Sequence, residues 1–329
     1  MNDKKNKFLL LIIFLMIFIF NGCATFVYKT IPLRNIAKVK GPYFVGTQNF
    51  QVVDASRKMW FSGDIEGSRK LSVKMWYPAD DITSLKKAQY LNKHKLIGSA
   101  ISKLFGVPEA LMDRAGGVKC NSWLNAVPAV GKFPIVIYSH GHQSIKIANT
   151  SQAEEMASNG YIVVAMDHSY DAALTILDED KIIYSRSKLP ANDEEALQDS
   201  MILRVENQLK IRTEDVSFVI DELKIMFEKD KRFSQIADFD NIGIFGHSFG
   251  GCTSIMSAYN DTRIDAVIGL DAYFLPLPKE IIKKDMDRPF VHLGQVSWGD
   301  SDNYKVMSEL GKSSNREFYH FAVERSKHN

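Results

Sequence analysis

Apolar residues in this chain fall into short unbroken runs separated by stretches with helical spacing. Residues 133–138 (FPIVIY) and 161–166 (YIVVAM) are continuous and rich in β-branched side chains, the pattern of strands buried on both faces. Between them residues 150–159 read as a helix, with Thr150 or Ser151 as N-cap and Gly160 just past its end. Residues 241–245 (NIGIF), 266–270 (AVIGL), 290–296 and 318–323 read as later strands, and residues 250–259 as a helix. Leu209, Val216, Ile220, Leu223 and Phe227 recur at the spacing of one long amphipathic helix. Upstream, residues 70–77 (KLSVKMWY) alternate cleanly and predict an antiparallel edge strand. Residues 96–112 form an apolar, helical insertion, and residues 171–204 are polar and irregular. Strands alternating with helices predict an α/β fold with a mostly parallel central sheet flanked by helices.

The N-terminus departs from this pattern. Lys4, Lys5 and Lys7 precede an unbroken apolar run over residues 8–20, shorter than the ~20 residues needed to span a bilayer as a helix. Residues 1–22 therefore read as a signal peptide rather than as part of the fold, with an uncleaved signal anchor as the competing reading. The run ends in Phe20-Asn21-Gly22-Cys23, which resembles the bacterial lipoprotein box, with Phe20 in place of the usual Leu. That resemblance implies a diacylated Cys23, a tether over residues 23–40 and a lipid-anchored protein on the outer side of a bacterial membrane. The domain proper then covers residues 41–329, a length that one α/β core supports.

Composition narrows the field. The chain has 329 residues, 45% hydrophobic and 24% charged, as in an ordinary globular protein. Its 41 basic and 39 acidic residues leave a net charge of +2, with no nucleic-acid signature. Cys120 and Cys252 read as small buried hydrophobes, a disulfide between them being the competing reading.

Candidate chemistry sits at Gly246-His247-Ser248-Phe249-Gly250, a G-x-S-x-G pentapeptide between the strand at 241–245 and the helix from 250. That context is the nucleophile elbow of the α/β-hydrolase fold, where a serine is presented on a tight strand-to-helix turn. A serine hydroxyl attacks carbonyls only when a histidine takes its proton and a carboxylate orients that histidine. In this fold the order is Ser, acid, His. Asp271 ends the next strand, with Asp300 and Asp302 as rivals after the following one. His292 and His320 fall inside predicted strands, which leaves His328, beyond the last strand, as the best candidate.

Acyl transfer also needs donors for an oxyanion. One is the backbone N–H of Phe249; the other belongs on the loop after an earlier strand, Ser139-His140-Gly141-His142-Gln143, where the His142 N–H is the candidate. His140 and His142 also allow an H-x-H metal reading, but no third ligand has suitable spacing, so no metal or other cofactor is expected.

Several segments together resemble the platelet-activating factor acetylhydrolase family, the plasma and type II intracellular enzymes with their bacterial relatives. They are Gly41-Pro42-Tyr43-Phe44-Val45-Gly46, Trp76-Tyr77-Pro78, Phe133-Pro134-Ile135-Val136 leading into Ser139-His140-Gly141, the GHSFGG of residues 246–251, and Leu270-Asp271-Ala272 with Pro276. The resemblance runs from about Gly41 to the end of the sequence. It implies Ser248, Asp271 and His328 as the triad, favouring Asp271 over Asp300. It also implies a metal-independent hydrolase that removes short or oxidised sn-2 acyl chains from phospholipids near a membrane surface. Two positions depart from the family. His142 and Gln143 stand where SHGLG is common, which implies a reshaped acyl pocket. The family also continues into a further helix beyond its histidine loop, so His328 as penultimate residue sets the expectation of a truncated chain or a weakly anchored, weakly active histidine. The competing functions are a general short-chain carboxylesterase and a non-catalytic lipoprotein that keeps the fold.

Overall fold

The computed structural model describes residues 36–328 except 63, 84, 92, 107, 110–116, 192–194, 196–197 and 297–300. The expected targeting segment, Cys23 and most of the tether thus lie outside the described residues, as does Asp300. None of the described helices is long and apolar enough to cross a membrane.

The chain falls into two compact units. The smaller contains residues 89–120 and carries helix α1 (His94–Phe105), which overlaps the expected insertion and begins two residues before it. Lys93 opens it at φ 55° and Gly106 closes it at φ 66°. That left-handed turn at the C-terminus suits glycine, which has no Cβ to clash. A backbone bond of 3.0 Å from Tyr90 N to Val118 O closes the base of this unit.

In the larger unit, strands β1 (Phe44–Lys58) and β2 (Ser68–Asp81) form a long antiparallel pair. The short strands β3 (Lys87–Gln89) and β4 (Lys119–Leu124), whose residues 89 and 119–120 belong to the smaller unit, and β5 (Val127–Pro128) follow. Next come β6 (Phe133–Ser139), helix α2 (Thr150–Ser158) and β7 (Ile162–Asp167). A small hairpin of β8 (Leu174–Ile176) and β9 (Ile182–Tyr184) occupies the stretch that looked irregular. Helix α3 (Asp199–Lys229) leads to β10 (Ala237–His247), helix α4 (Phe249–Asn260) and β11 (Ile264–Leu270). Strand β12 (Phe290–Gln295), helix α5 (Asp302–Ser313) and β13 (Phe318–Val323) complete it.

The sheet runs β13-β12-β11-β10-β6-β7-β2-β1-β4-β3, with β5 paired to β2 off this path. Strands β6, β7, β10, β11, β12 and β13 are mutually parallel, and β2 is antiparallel to both β7 and β1. The expected mostly parallel sheet is present, but β2 is not at its edge. Its alternation suggested one wet face; instead Lys74 is 2% exposed, with its ammonium 4.9 Å from the centre of the Trp76 ring. A lysine buried over an aromatic ring looks like a solvent-facing residue in a pattern.

Alternate residues of the central strands feed two cores. Ile135, Ile137, Val164 and Ile244 join a cluster with Leu209, Val216, Ile220, Leu223 and Phe227 of α3 and with Ile255 of α4. Tyr138, Val163, Ala165 and Phe245 pack with Ala153 and Ala157 of α2 on the other side. Burial of both faces explains the continuous apolar runs. The cap of α2 is Asn149 rather than Thr150 or Ser151, and its side chain does not cap the helix. Its Oδ1 instead accepts from the Tyr138 hydroxyl at 2.5 Å, while Thr150 Oγ1 donates to Ile147 O at 2.7 Å.

From β6 the chain moves through α2 to β7, and from β10 through α4 to β11 on the opposite side. The connections leaving adjacent strands β6 and β10 therefore part at the carboxyl edge, the switch point where open α/β sheets bind ligands. Helix α4 closes on that point through glycine: a Cβ at Gly250 would lie 2.1 Å from Ser139 O and 2.6 Å from His140 O, both backbone atoms. Replacing Gly250 by Ala must therefore separate α4 from β6. We expect Gly250→Ala to cost about 3 kcal/mol, at the upper end for an overpacked site, measured by urea denaturation. Wild-type stability would show that the backbones tolerate separation.

Candidate active site

Ser248 occupies the turn between β10 and α4 at φ 53°, ψ −119°. A non-glycine residue at positive φ costs of order 1–3 kcal/mol and persists only where its surroundings enforce it. Here Ser248 N donates to Leu270 O at 3.0 Å, and Ser248 O accepts from Tyr273 N at 3.0 Å and Gly251 N at 2.9 Å. Space on either side is supplied by glycine. A Cβ on Gly246 would meet Gly250 O at 2.1 Å, and one on Gly251 would meet the Ala272 Cβ at 2.5 Å.

His328 Nε2 lies 2.9 Å from Ser248 Oγ, and its Nδ1 lies 2.7 Å from Asp271 Oδ2. The structure thus brings together the three residues singled out from the sequence. Nδ1–H donating to the carboxylate leaves Nε2 free to accept the serine proton, the tautomer that base catalysis by histidine needs. Asp271 follows β11, itself at positive φ (45°). Its Oδ2 also accepts from Gln295 Nε2 at 2.8 Å, while Oδ1 accepts from Gln295 N at 3.2 Å and faces the Tyr304 hydroxyl at 3.3 Å. Burial raises the Asp271 pKa, yet the bonds from His328 and Gln295 outweigh it and hold the carboxyl below its ordinary range.

His328 is anchored by its backbone as well. His247 Nε2–H donates to the His328 carbonyl at 2.8 Å, and the two rings lie 4.9 Å apart, tilted by 35°. The first variable position of the elbow pentapeptide therefore clasps the histidine loop. Sequence reasoning assigned no role to His247, Gln295 or Tyr304. Only His247 carried a signal, its place inside the motif.

The rivals among the described residues lie elsewhere. Asp302 opens α5 and pairs with Lys305 at 2.6 Å. His292 and His320 sit in neighbouring strands with their Nδ1 atoms 2.9 Å apart. His292 Nε2 accepts from Ala272 N at 3.0 Å, so it supports the turn that carries Asp271 rather than reacting. Cys120 and Cys252 are buried thiols, not disulfide partners.

The loop after β6 lies against the elbow: a Cβ on Gly141 would come 3.5 Å from the Ser248 Cβ and 2.9 Å from His247 Nδ1. His142, the candidate donor, is the next residue, and Phe249, directly after the serine, is fully buried. Behind this loop Ser139, His140, His168, Arg212, Asp171 and Asp215 are all fully buried. Burial, reinforced by the nearby Arg212 charge, lowers the His168 pKa to about 4 and the His140 pKa well below its ordinary value. Both rings are neutral. Asp215 remains ionised despite burial because Arg69 binds both its oxygens, at 2.9 and 2.6 Å.

A serine elbow at the switch point of this sheet, with a carboxylate-supported imidazole against it, defines a class, the serine ester hydrolases of α/β-hydrolase fold. Comparison narrows it: residues 29–329 match the family described as platelet-activating factor acetylhydrolase, isoform II, and the chain belongs to that family. A platelet-activating factor acetylhydrolase of Gallus gallus is 25% identical over 83% of this chain and 68% of its own length. The protein of that name from Canis lupus familiaris is 24% identical over 83% and 63%. Among solved structures, a ferulic acid esterase from Streptomyces cinnamoneus superposes with a TM-score of 0.73, at 25% identity, over 90% of this chain and 78% of that one.

Three buried histidines give the fold an acid limit. His140, His168 and His292 all titrate below the ordinary 6.5, His168 at about 4 and His292 at about 3, burial being the largest cause for each. The unfolded chain takes up these protons first as pH falls, so their contribution is intact above pH 6.5 and is lost progressively below it. Each such group removes up to about 1.4 kcal/mol per pH unit in that window. We expect the melting temperature to be flat from pH 8 to 7 and to fall steeply between pH 6 and 4. A flat profile down to pH 4 would mean that these rings are not buried neutral.

Proposed function

We propose that this chain hydrolyses carboxylic esters through an acyl-enzyme on Ser248, and that its substrates are short or oxidised sn-2 acyl chains of phospholipids. The observation that carries this is the single imidazole of His328 spanning Ser248 Oγ at 2.9 Å and Asp271 Oδ2 at 2.7 Å. Family membership supports the substrate class. His328 Nε2 takes the Ser248 proton as the oxygen attacks the ester carbonyl, and Asp271 stabilises the imidazolium that forms. The backbone N–H groups of Phe249 and His142 receive the oxyanion. The imidazolium then protonates the leaving alcohol, and a water activated by the same ring releases the acid and regenerates the serine.

A second reading, a carboxylesterase of small soluble esters, draws support from the likeness to a ferulic acid esterase. Both readings share the site and differ in the acyl pocket, so substrate profiling separates them. We expect a fluorophosphonate probe to label the protein at Ser248 and Ser248→Ala to abolish both labelling and turnover. Asp271→Asn should lower kcat about 10⁴-fold through the wrong imidazole tautomer. Turnover of p-nitrophenyl esters should be highest for short acyl chains and accompanied by release of acetate from a 2-acetyl phosphatidylcholine. Activity on feruloyl but not on phospholipid esters would favour the second reading, and an unlabelled serine would reject both.

We also propose that residues 1–22 direct export and that a diacylated Cys23 anchors the protein to the outer side of a bacterial membrane, bringing the site to its lipid. The support is the Lys4, Lys5 and Lys7 cluster, the apolar run over residues 8–20 and the box ending at Cys23. Each buried acyl CH₂ contributes about 0.8 kcal/mol, so two chains hold firmly. Expressed in bacteria, the protein should incorporate an alkynyl palmitate and sediment with membranes. Cys23→Ser should lose the label and become soluble; unchanged fractionation without label would point to an uncleaved anchor.

A further inference from the structure

Arg212, on α3, is completely buried yet touches both sides of the crevice. Its Nη2 donates to Ser139 Oγ at 3.1 Å and to the His140 carbonyl, and its Nη1 pairs with Asp171 Oδ1 at 2.5 Å. The guanidinium carbon sits 4.9 Å from the centre of the Phe249 ring. One rigid fork thus contacts the loop leading into His142 on one side and the residue after the serine on the other. Lysine, a compact ammonium on a flexible stem, cannot reproduce three bonds directed by one planar group together with its contact on the Phe249 ring.

The loop is held from behind by a chain of protons whose directions are all fixed. Asp215, bound by Arg69, accepts from His168 Nδ1–H at 2.9 Å. His168 is neutral, so its Nε2 accepts from the Ser139 hydroxyl at 3.0 Å. The Ser139 oxygen in turn accepts from Arg212. His140 is fixed in the same way: its Nε2 accepts from His168 N at 3.2 Å, leaving Nδ1–H for Gly141 O at 2.7 Å. The Ser139 hydroxyl, the His140 ring and the His140 carbonyl are thus each tied to a buried partner, which restrains the stretch from Ser139 to Gly141.

We propose that Arg212 is a positioning residue for the oxyanion site, setting the separation between the Phe249 and His142 donors through its hold on His140, Ser139 and the Phe249 ring. The inference rests on the reading of those two N–H groups as the oxyanion donors. Removal of one such donor costs about 10²–10³ in rate, and because the donors act on the transition state, the loss falls on kcat rather than on KM. Displacement of a donor that remains present costs less.

The test uses Arg212→Lys, which keeps the charge and loses the fork, and Ser139→Ala, which removes one of its bonds while leaving Arg212 intact. Hydrolysis of p-nitrophenyl acetate is measured together with inhibition by a short-chain trifluoromethyl ketone, which forms a tetrahedral oxyanion on the serine. For Arg212→Lys we expect kcat to fall about 10- to 100-fold, with KM within about twofold. Ketone affinity should weaken in parallel with kcat/KM, and the midpoint of the pH–rate profile should stay in place because the His328–Asp271 pair is untouched. Ser139→Ala should show the same pattern at a smaller size, kcat and ketone affinity each falling about 3- to 10-fold. A merely structural role would lower the melting temperature and the active fraction, leaving the ketone affinity of the folded fraction unchanged, and that result overturns the proposal. If Arg212→Lys does not fold, Ser139→Ala decides alone, unchanged kcat and ketone affinity being the overturning result. Failure of the wild-type protein to be labelled at Ser248 would sink the ester-hydrolase reading itself; a labelled wild type with unaffected variants sinks only the role of Arg212.

Discussion

The structure turns on one strained residue. Ser248 is held at positive φ between a strand and a helix, and that conformation is tolerable only because the flanking backbones have no side chains to fill the turn. Gly246 and Gly250 approach each other, Gly250 rests on the carbonyls that end β6, and Gly251 rests on Ala272 next to Asp271. The glycines therefore do more than permit a turn. They bring the ends of β6, β10 and β11 together around one serine, and the loops that leave those ends carry the rest of the chemistry.

Much of this was legible in the sequence where the determinants are local. Continuous β-branched runs reported strands buried on both faces, and the pentapeptide with its flanking strand and helix located the serine. Order along the chain then left few choices of acid and histidine. What escaped notice depends on partners distant in sequence. Strand β1 mixes polar and apolar residues, and it is ordered by register with β2, from Phe44 against Ala79 to Asp54 against Arg69. Lys74 disguised an interior strand as an edge, since nothing local reveals that an ammonium will lie over an indole.

The same limit applied around the active site. Gln295 and Tyr304 come from β12 and α5, and converge on Asp271 only when the sheet is assembled. His247 was visible in the motif, but its bond to the His328 carbonyl joins residues 81 positions apart. The expectation of a loosely held histidine was reasonable for a residue so close to the end of the sequence. The structure instead fixes both ring nitrogens and the main-chain oxygen of His328.

The hydrogen-bond chain behind the β6 loop bears on how such proteins are recognised. Ser139, His168 and Asp215 are linked at 3.0 and 2.9 Å, spacings close to those joining Ser248, His328 and Asp271. A geometric template of serine, imidazole and carboxylate would therefore register twice in this one protein. Solvent access and charge tell the constellations apart: the inner serine has no exposed surface and accepts a bond from a guanidinium, whereas the outer one keeps 9% of its surface exposed. Automated searches for hydrolytic centres that score only interatomic spacing would find the scaffold as readily as the reacting group it supports.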